Sequence, residues 1–179
     1  LNKFEYLEVL KNRYYHFFDL YHNYYINNTK FQLLASYNIK AEKYMFSKDV
    51  KIYTVEQNEH ALVKLFNHSI NLNQVKEVIE TVKNSINELV EPHPDHMKTV
   101  LTCVIVTEHS ADKESKDFIS RFRYQKPFLF YFKGWCELRM VLIDLNNKEL
   151  IYHPKDKEVV NLYKLPETKF SQNKITKEG

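Results

Sequence analysis

Apolar side chains recur at three- and four-residue steps through Phe4, Leu7, Leu10, Tyr14 and Phe17, with Glu5, Glu8, Lys11 and Asn12 between them. That spacing predicts an amphipathic helix over about Asn2 to Asp19. The segment Tyr21 to Thr29 ends on Asn27-Asn28, a turn pair, because asparagine tolerates left-handed backbone. From Lys30 the pattern changes to β-type stretches at Phe31 to Tyr37, Ile39 to Phe46, Val50 to Val55 and Ala61 to Phe66. The polar breaks between them are too short for helices, so an antiparallel meander follows.

Leu72, Val75, Ile79, Val82, Ile86 and Leu89 form the clearest helical stripe, opposite Lys76, Glu80, Lys83 and Asn87. This second helix should stop before Pro92, whose ring disfavours helix at the residue before it. Val100 to Val106 is almost continuously apolar and β-branched, the pattern of a central strand covered on both faces. A shorter helix fits Glu114 to Arg123. Phe128 to Phe132 and Cys136 to Leu145 read as strands on either side of Gly134, and Asn146-Asn147 as a hairpin turn into Leu150 to Tyr152. Asp156 to Tyr163 reads as a last short helix. The order α-β-β-β-(β)-α-β-α-β-β-β-α predicts an α/β or α+β fold, with helices packed on a single mixed sheet. A single globular domain over residues 1–165 is expected, followed by a polar, frayed tail at 166–179.

Composition narrows the function. Hydrophobic residues make up 44% of the chain and charged residues 27%, the balance of a globular protein rather than a disordered one. Only two glycines occur, Gly134 and Gly179, which excludes the glycine-rich loops that cradle nucleotide phosphates. A net charge of +3 neither argues for nucleic acid nor opposes it. Glu5, Glu8, Arg13 and Asp19 interrupt the first apolar positions, so no signal peptide is read there, and no apolar run approaches membrane-spanning length. Cys103 and Cys136 both sit among apolar neighbours, which suits a reducing compartment; a cytoplasmic protein with no membrane partner is expected.

Three places could carry chemistry. Glu91, His93, Asp95 and His96 offer the nitrogen and oxygen donors of a divalent metal site, although Pro92 and Pro94 equally describe a stiff loop with hydrogen-bonded histidines. Around Phe132-Lys133-Gly134-Trp135, the residues Arg123, Lys133, Trp135 and Arg139 interleave charge and aromatic surface, as a single-stranded nucleic-acid site does. The simpler reading of Phe128 to Phe132 is a core strand. Asp49 and Lys51, taken with Glu42 and Glu56, suggest an acidic pair plus lysine, in which carboxylates hold a divalent ion and the lysine orients the attacking water. The competing reading is a solvated turn at Ser47-Lys48-Asp49. No serine has a glycine elbow, and both cysteines read as packed and inert.

Glu42-Lys43-Tyr44 with Ser47-Lys48, Glu91-Pro92-His93 with His96-Met97, and Phe132-Lys133-Gly134-Trp135 together resemble a single-domain family of unknown function from low-GC Gram-positive bacteria, clostridia especially. The resemblance extends to about Tyr163 and implies a small cytoplasmic protein without assigning any catalytic residue. The helix, three-strand, helix, strand order from Asn2 to Val106 also resembles the PD-(D/E)XK nuclease-like core. The sequence departs from that family's pattern, because no Pro-Asp precedes Asp49 and Asp49 stands at the beginning of its strand.

No complete catalytic constellation can be assembled. The leading reading is therefore a non-catalytic domain that binds a protein or a small ligand. The alternatives are a metal-dependent, nuclease-like hydrolase with a divalent ion, and a single-stranded nucleic-acid-binding module.

Overall fold

A computed structural model describes residues 1–44 and 51–166 of the chain. The helix α1 spans Lys3–Tyr14, shorter than the sequence pattern implies. Asn2 caps it by accepting from the Phe4 and Glu5 amides, and Glu5 reaches back to the Asn2 amide at 2.8 Å, which satisfies the free donors of the first turn. The buried stripe is Tyr6, Leu7, Leu10 and Tyr14. Phe4 is exposed, and Phe17 lies beyond the helix end and is exposed too, so the stripe is rotated toward Tyr6 relative to the expectation.

Strands β1 (Asp19–Ile26), β2 (Thr29–Tyr44) and β3 (Lys51–Phe66) form the expected antiparallel meander with different boundaries. The segment before Asn27-Asn28 is itself a strand, and the break expected near Asn38 is continuous strand. A chain with this many paired neighbours absorbs isolated polar residues such as Asn38 without leaving the sheet. The helix α2 (Leu72–Asn84) carries the Asn71–Gln74 capping box and is followed by the single turn α3 (Ile86–Leu89). The strand β4 (His96–Thr107) then runs parallel to β3.

After α4 (Lys113–Arg121) come β5 (Tyr124–Pro127), β6 (Trp135–Asp144) and β7 (Glu149–Tyr152). A 3₁₀ turn at Pro154–Val159 leads into α5 (Val160–Tyr163). The seven strands of the described residues join one mixed sheet in the order β1-β2-β3-β4-β6-β5, with β7 pairing the second half of β6. The fold is α+β, and its element order is the one the pattern predicts.

β4 is the most buried strand, and two clusters explain why. Leu101, Cys103 and Ile105 face the layer of α2, α3 and α4, while Val104 and Val106 face Tyr6, Leu10 and Tyr14 of α1. Hydrogen bonds tie the C-terminal segment to α1: Tyr6 Oη donates to the Tyr163 carbonyl at 2.6 Å, Arg13 Nη1 to the Leu162 carbonyl at 2.7 Å, and the Tyr14 and Tyr163 hydroxyls meet at 2.6 Å. Burial pushes the phenols of Tyr6, Tyr14 and Tyr163 above the usual tyrosine range, so all three stay protonated donors. Tyr163→Phe should therefore cost about 1–2 kcal/mol, read as a lower urea midpoint at unchanged slope, because it orphans the buried Tyr14 hydroxyl.

One predicted strand is absent. Phe128 to Phe132 forms a tight loop between β5 and β6, not a strand, with φ of 46°, 51° and 71° at Leu129, Phe130 and Tyr131. The strand in this region is β5, the four residues just before the loop.

Candidate functional site

Glu56, His93, His96, Lys133 and Trp135 meet at one end of the sheet, where β4 and β6 begin. The chain leaves α3 through Pro92 and Pro94 and turns into β4, the His96 amide donating to the His93 carbonyl at 3.0 Å. The Glu56 amide donates to the Asp95 carbonyl at 2.9 Å, and the β3–β4 register shifts beside Glu56. These constraints place His93 Nε2 3.1 Å from Glu56 Oε2, while Asn58 Nδ2 donates to the other Glu56 oxygen at 3.1 Å. Glu56 is thus the remote partner of His93, fixing the ring from a strand about forty residues earlier in the chain.

His96 is buried, and both its nitrogens are occupied. Nδ1 lies 2.8 Å from the Lys133 carbonyl, which can only accept, so Nδ1 carries the proton. Nε2 then accepts from the Thr99 hydroxyl at 2.9 Å in the neutral ring. The His96 ring also packs edge-on against the buried Phe128, with centroids 5.9 Å apart. Its hydrogen bonding joins β4 to the loop ahead of β6. Glu91 and Asp95 are exposed, and among the described residues no three His, Cys, Asp or Glu side chains gather into a metal-binding group. The junction orients one imidazole on a carboxylate and uses the other as a structural bridge.

Lys98, Arg123 and Arg139 are paired with carboxylates. Glu137 receives Lys98 at 2.7 Å, Arg139 at 3.2 Å and Arg123 at 3.4 Å. Arg139 is buried and also reaches Asp156 at 3.5 Å and Glu158 at 3.2 Å. Burial opposes the charged form of Glu137, yet Lys98 and Arg139 outweigh it and hold the carboxyl below the usual range. Trp135 is half-buried, pairs with Lys98 in register, and meets the Tyr131 ring edge-on at 6.2 Å. Lys133 contributes its carbonyl to His96. Asp49 lies outside the described residues, and Lys51 opens β3 opposite Tyr44. Burial pushes both Cys103 and Cys136 up to about 12, so neither is a nucleophile at neutral pH.

The dominant surface feature was not read from the sequence. Leu129, Phe130, Tyr131 and Phe132 are 61%, 87%, 55% and 79% exposed, an apolar tip of four consecutive large side chains. Its shape is held from within by four backbone bonds. The Phe132 amide donates to the Leu129 carbonyl at 3.0 Å, Lys133 to Phe128 at 3.2 Å, Gly134 to Tyr131 at 3.0 Å, and Phe128 to Gly134 at 2.9 Å. Below the tip, Gly134 sits at φ 73°, and a Cβ there would stand 2.4 Å from the Met97 carbonyl oxygen and 2.5 Å from that of His96. The run of five large apolar residues before Lys133-Gly134 carries no alternation, the same pattern as the buried strand at Val100 to Val106, so the sequence holds no signal that separates this exposed tip from a core strand.

The family model described as "Domain of unknown function (DUF8052)" matches residues 2–165, and the chain belongs to that family. The matched span begins at the cap of α1 and ends just after Tyr163, the two segments that the tyrosine hydrogen bonds join. No curated protein and no solved structure matches the chain.

Proposed function

We propose that residues 2–165 act as a single non-catalytic binding domain whose contact surface is the apolar tip Leu129–Phe132, and that its occupant is a protein presenting an apolar pocket. The observation that carries this is the left-handed backbone at three bulky residues in a row. Each such residue costs roughly 1–2 kcal/mol, so the tip stores about 3–6 kcal/mol that a polar glycine-containing turn would avoid. Strain of that size, held in place by His96 and Gly134, is consistent with a shape kept for recognition. Preformed aromatic anchors of this kind are the usual dominant contacts of a protein interface.

A protein fits the surroundings better than a bilayer. The tip is bracketed along the chain by Lys126 and Lys133, and His96 ties its base to the junction that carries the exposed Glu91 and Asp95, so charges of both signs belong to the segments that meet there. An anionic membrane surface favours uniformly basic collars, whereas protein interfaces pair both signs around an apolar centre. A cytoplasmic location and a clostridial origin extend the same reading, supported by two free, buried cysteines and the lysine- and asparagine-rich composition. The nuclease-like alternative has one supporting observation, the order α1-β1-β2-β3-α2-β4 with β3 and β4 parallel, and order alone does not carry a reaction.

The test places a photo-crosslinking residue at position 130 in the source organism, with position 113 on α4 as a control. The expected result is one dominant adduct at 130, identified by mass spectrometry, whose purified partner forms a stable complex with the wild-type protein. Adducts equally abundant at 113, a purified adduct protein that does not bind, or adducts only with lipid or with a second copy would overturn the proposal.

A further inference from the structure

A groove of about 450 Å³ lies between α1 and the β1–β2 hairpin, and none of the residues of the apolar tip or of the His93–His96 junction lines it. Lys3 and Lys11 of α1, His22 of β1 and Lys30 of β2 line it, and among the described residues no aspartate or glutamate does. Lys3 and Lys11 are paired with Glu108 and Glu8, carboxylates outside the lining, and no carboxylate is recorded on Lys30 among the described residues. Leu7 and Leu65 supply apolar wall, and the amide side chains of Asn23 and Asn67 add polar groups.

The sheet itself is distorted at this groove. Pairing of β2 with β3 ends at Leu33↔Val63, and the Gln32 side chain substitutes for the missing strand by accepting from the Leu65 amide at 2.8 Å. Directly across, Asn23 takes φ 54° and drops out of the β1–β2 register between His22↔Leu33 and Tyr24↔Phe31. Local breaks of strand geometry cluster where a sheet opens toward a ligand.

We infer that this groove binds a small phosphorylated molecule, its phosphate held by Lys30 with Lys11 and Lys3 and its organic part against Leu7 and Leu65. Ammonium groups from separate elements act as point charges on a tetrahedral oxyanion, which needs no planar fork. The volume is that of a small-ligand pocket.

The experiment titrates pyrophosphate into isotopically labelled full-length chain at low ionic strength and follows backbone amide shifts. Saturable shifts centred on Asn23, Lys30 and Asn67 are expected, with affinity about tenfold weaker in Lys30→Ala and unchanged in Lys113→Ala. Phe130→Ser/Phe132→Ser should leave this affinity intact, which separates the groove from the apolar tip. Shifts that fail to saturate, that centre elsewhere, or that survive Lys30→Ala would overturn the inference. So would tighter binding of a single-stranded oligonucleotide through the same residues.

Discussion

Gly134→Ala should destabilise the fold by roughly 3–5 kcal/mol, enough to lower the thermal midpoint by about 6–20 °C. Two costs add. The positive φ disfavours any L side chain by about 1–2 kcal/mol, and the new Cβ would press on the Met97 and His96 carbonyls and on His96 Nδ1 at 2.8 Å. Relief requires moving β6 away from β4 or breaking the His96 bond to Lys133, and both release the loop above. Gly134→Asn separates the terms, since asparagine tolerates the left-handed backbone but still carries the Cβ. The two variants should be similarly destabilised. Recovery of most of the stability in Asn would show that dihedral strain, not close approach, dominates.

Asp144→Ala should cost about 3–5 kcal/mol, because its fully buried carboxylate organises the far end of the parallel strands. Its oxygens accept from the Asn147 amide at 2.9 Å, the Asn147 side chain at 2.9 Å and the Ala111 amide at 3.1 Å, and Lys116 lies 3.2 Å away. Removal orphans buried donors and unties both the β6–β7 turn and the loop into α4. Burial alone would raise this carboxyl, but the donors of Asn147 and Ala111, with Lys116, outweigh it and hold it below the usual aspartate range. A depressed folded-state value means the stabilisation is complete above the unfolded aspartate value near pH 4 and fades as pH falls through the lower folded value. Urea midpoints between about pH 2 and pH 6 should therefore fall less steeply with acid in Asp144→Ala than in the wild type. Parallel slopes in the two proteins would contradict this linkage.

The helices and the central sheet were legible because burial writes a period into the sequence. Val100 to Val106 has no polar face because two layers cover it, and Val75, Ile79 and Val82 repeat as a helix on a sheet must. β1 escaped because most of its side chains face solvent at the sheet edge, leaving no alternation to read. The helical stripe of α1 included Phe4 and Phe17 because periodicity alone cannot tell a buried apolar residue from an exposed one.

The candidate residues were legible as chemistry and not as geometry. Two histidines three apart suggest a metal site, yet the partners that decide their roles, Glu56 and the Lys133 carbonyl, lie on other strands. A backbone carbonyl leaves no mark in sequence at all. Likewise Arg139 reads as a surface cation until its three carboxylates are in place. The loop at Phe128 to Phe132 misled for a physical reason: apolar runs ordinarily signify burial, and here they signify a surface that the fold's own elements leave uncovered.

The binding proposal rests on the two most exposed side chains of that loop, Phe130 and Phe132. Calorimetric titration of the partner identified at position 130 against wild-type and Phe130→Ser/Phe132→Ser protein, with matched thermal midpoints, tests it most directly. Two aromatic anchors at about 2 kcal/mol each predict an affinity loss of about a thousandfold; equal affinity in the two proteins would contradict it.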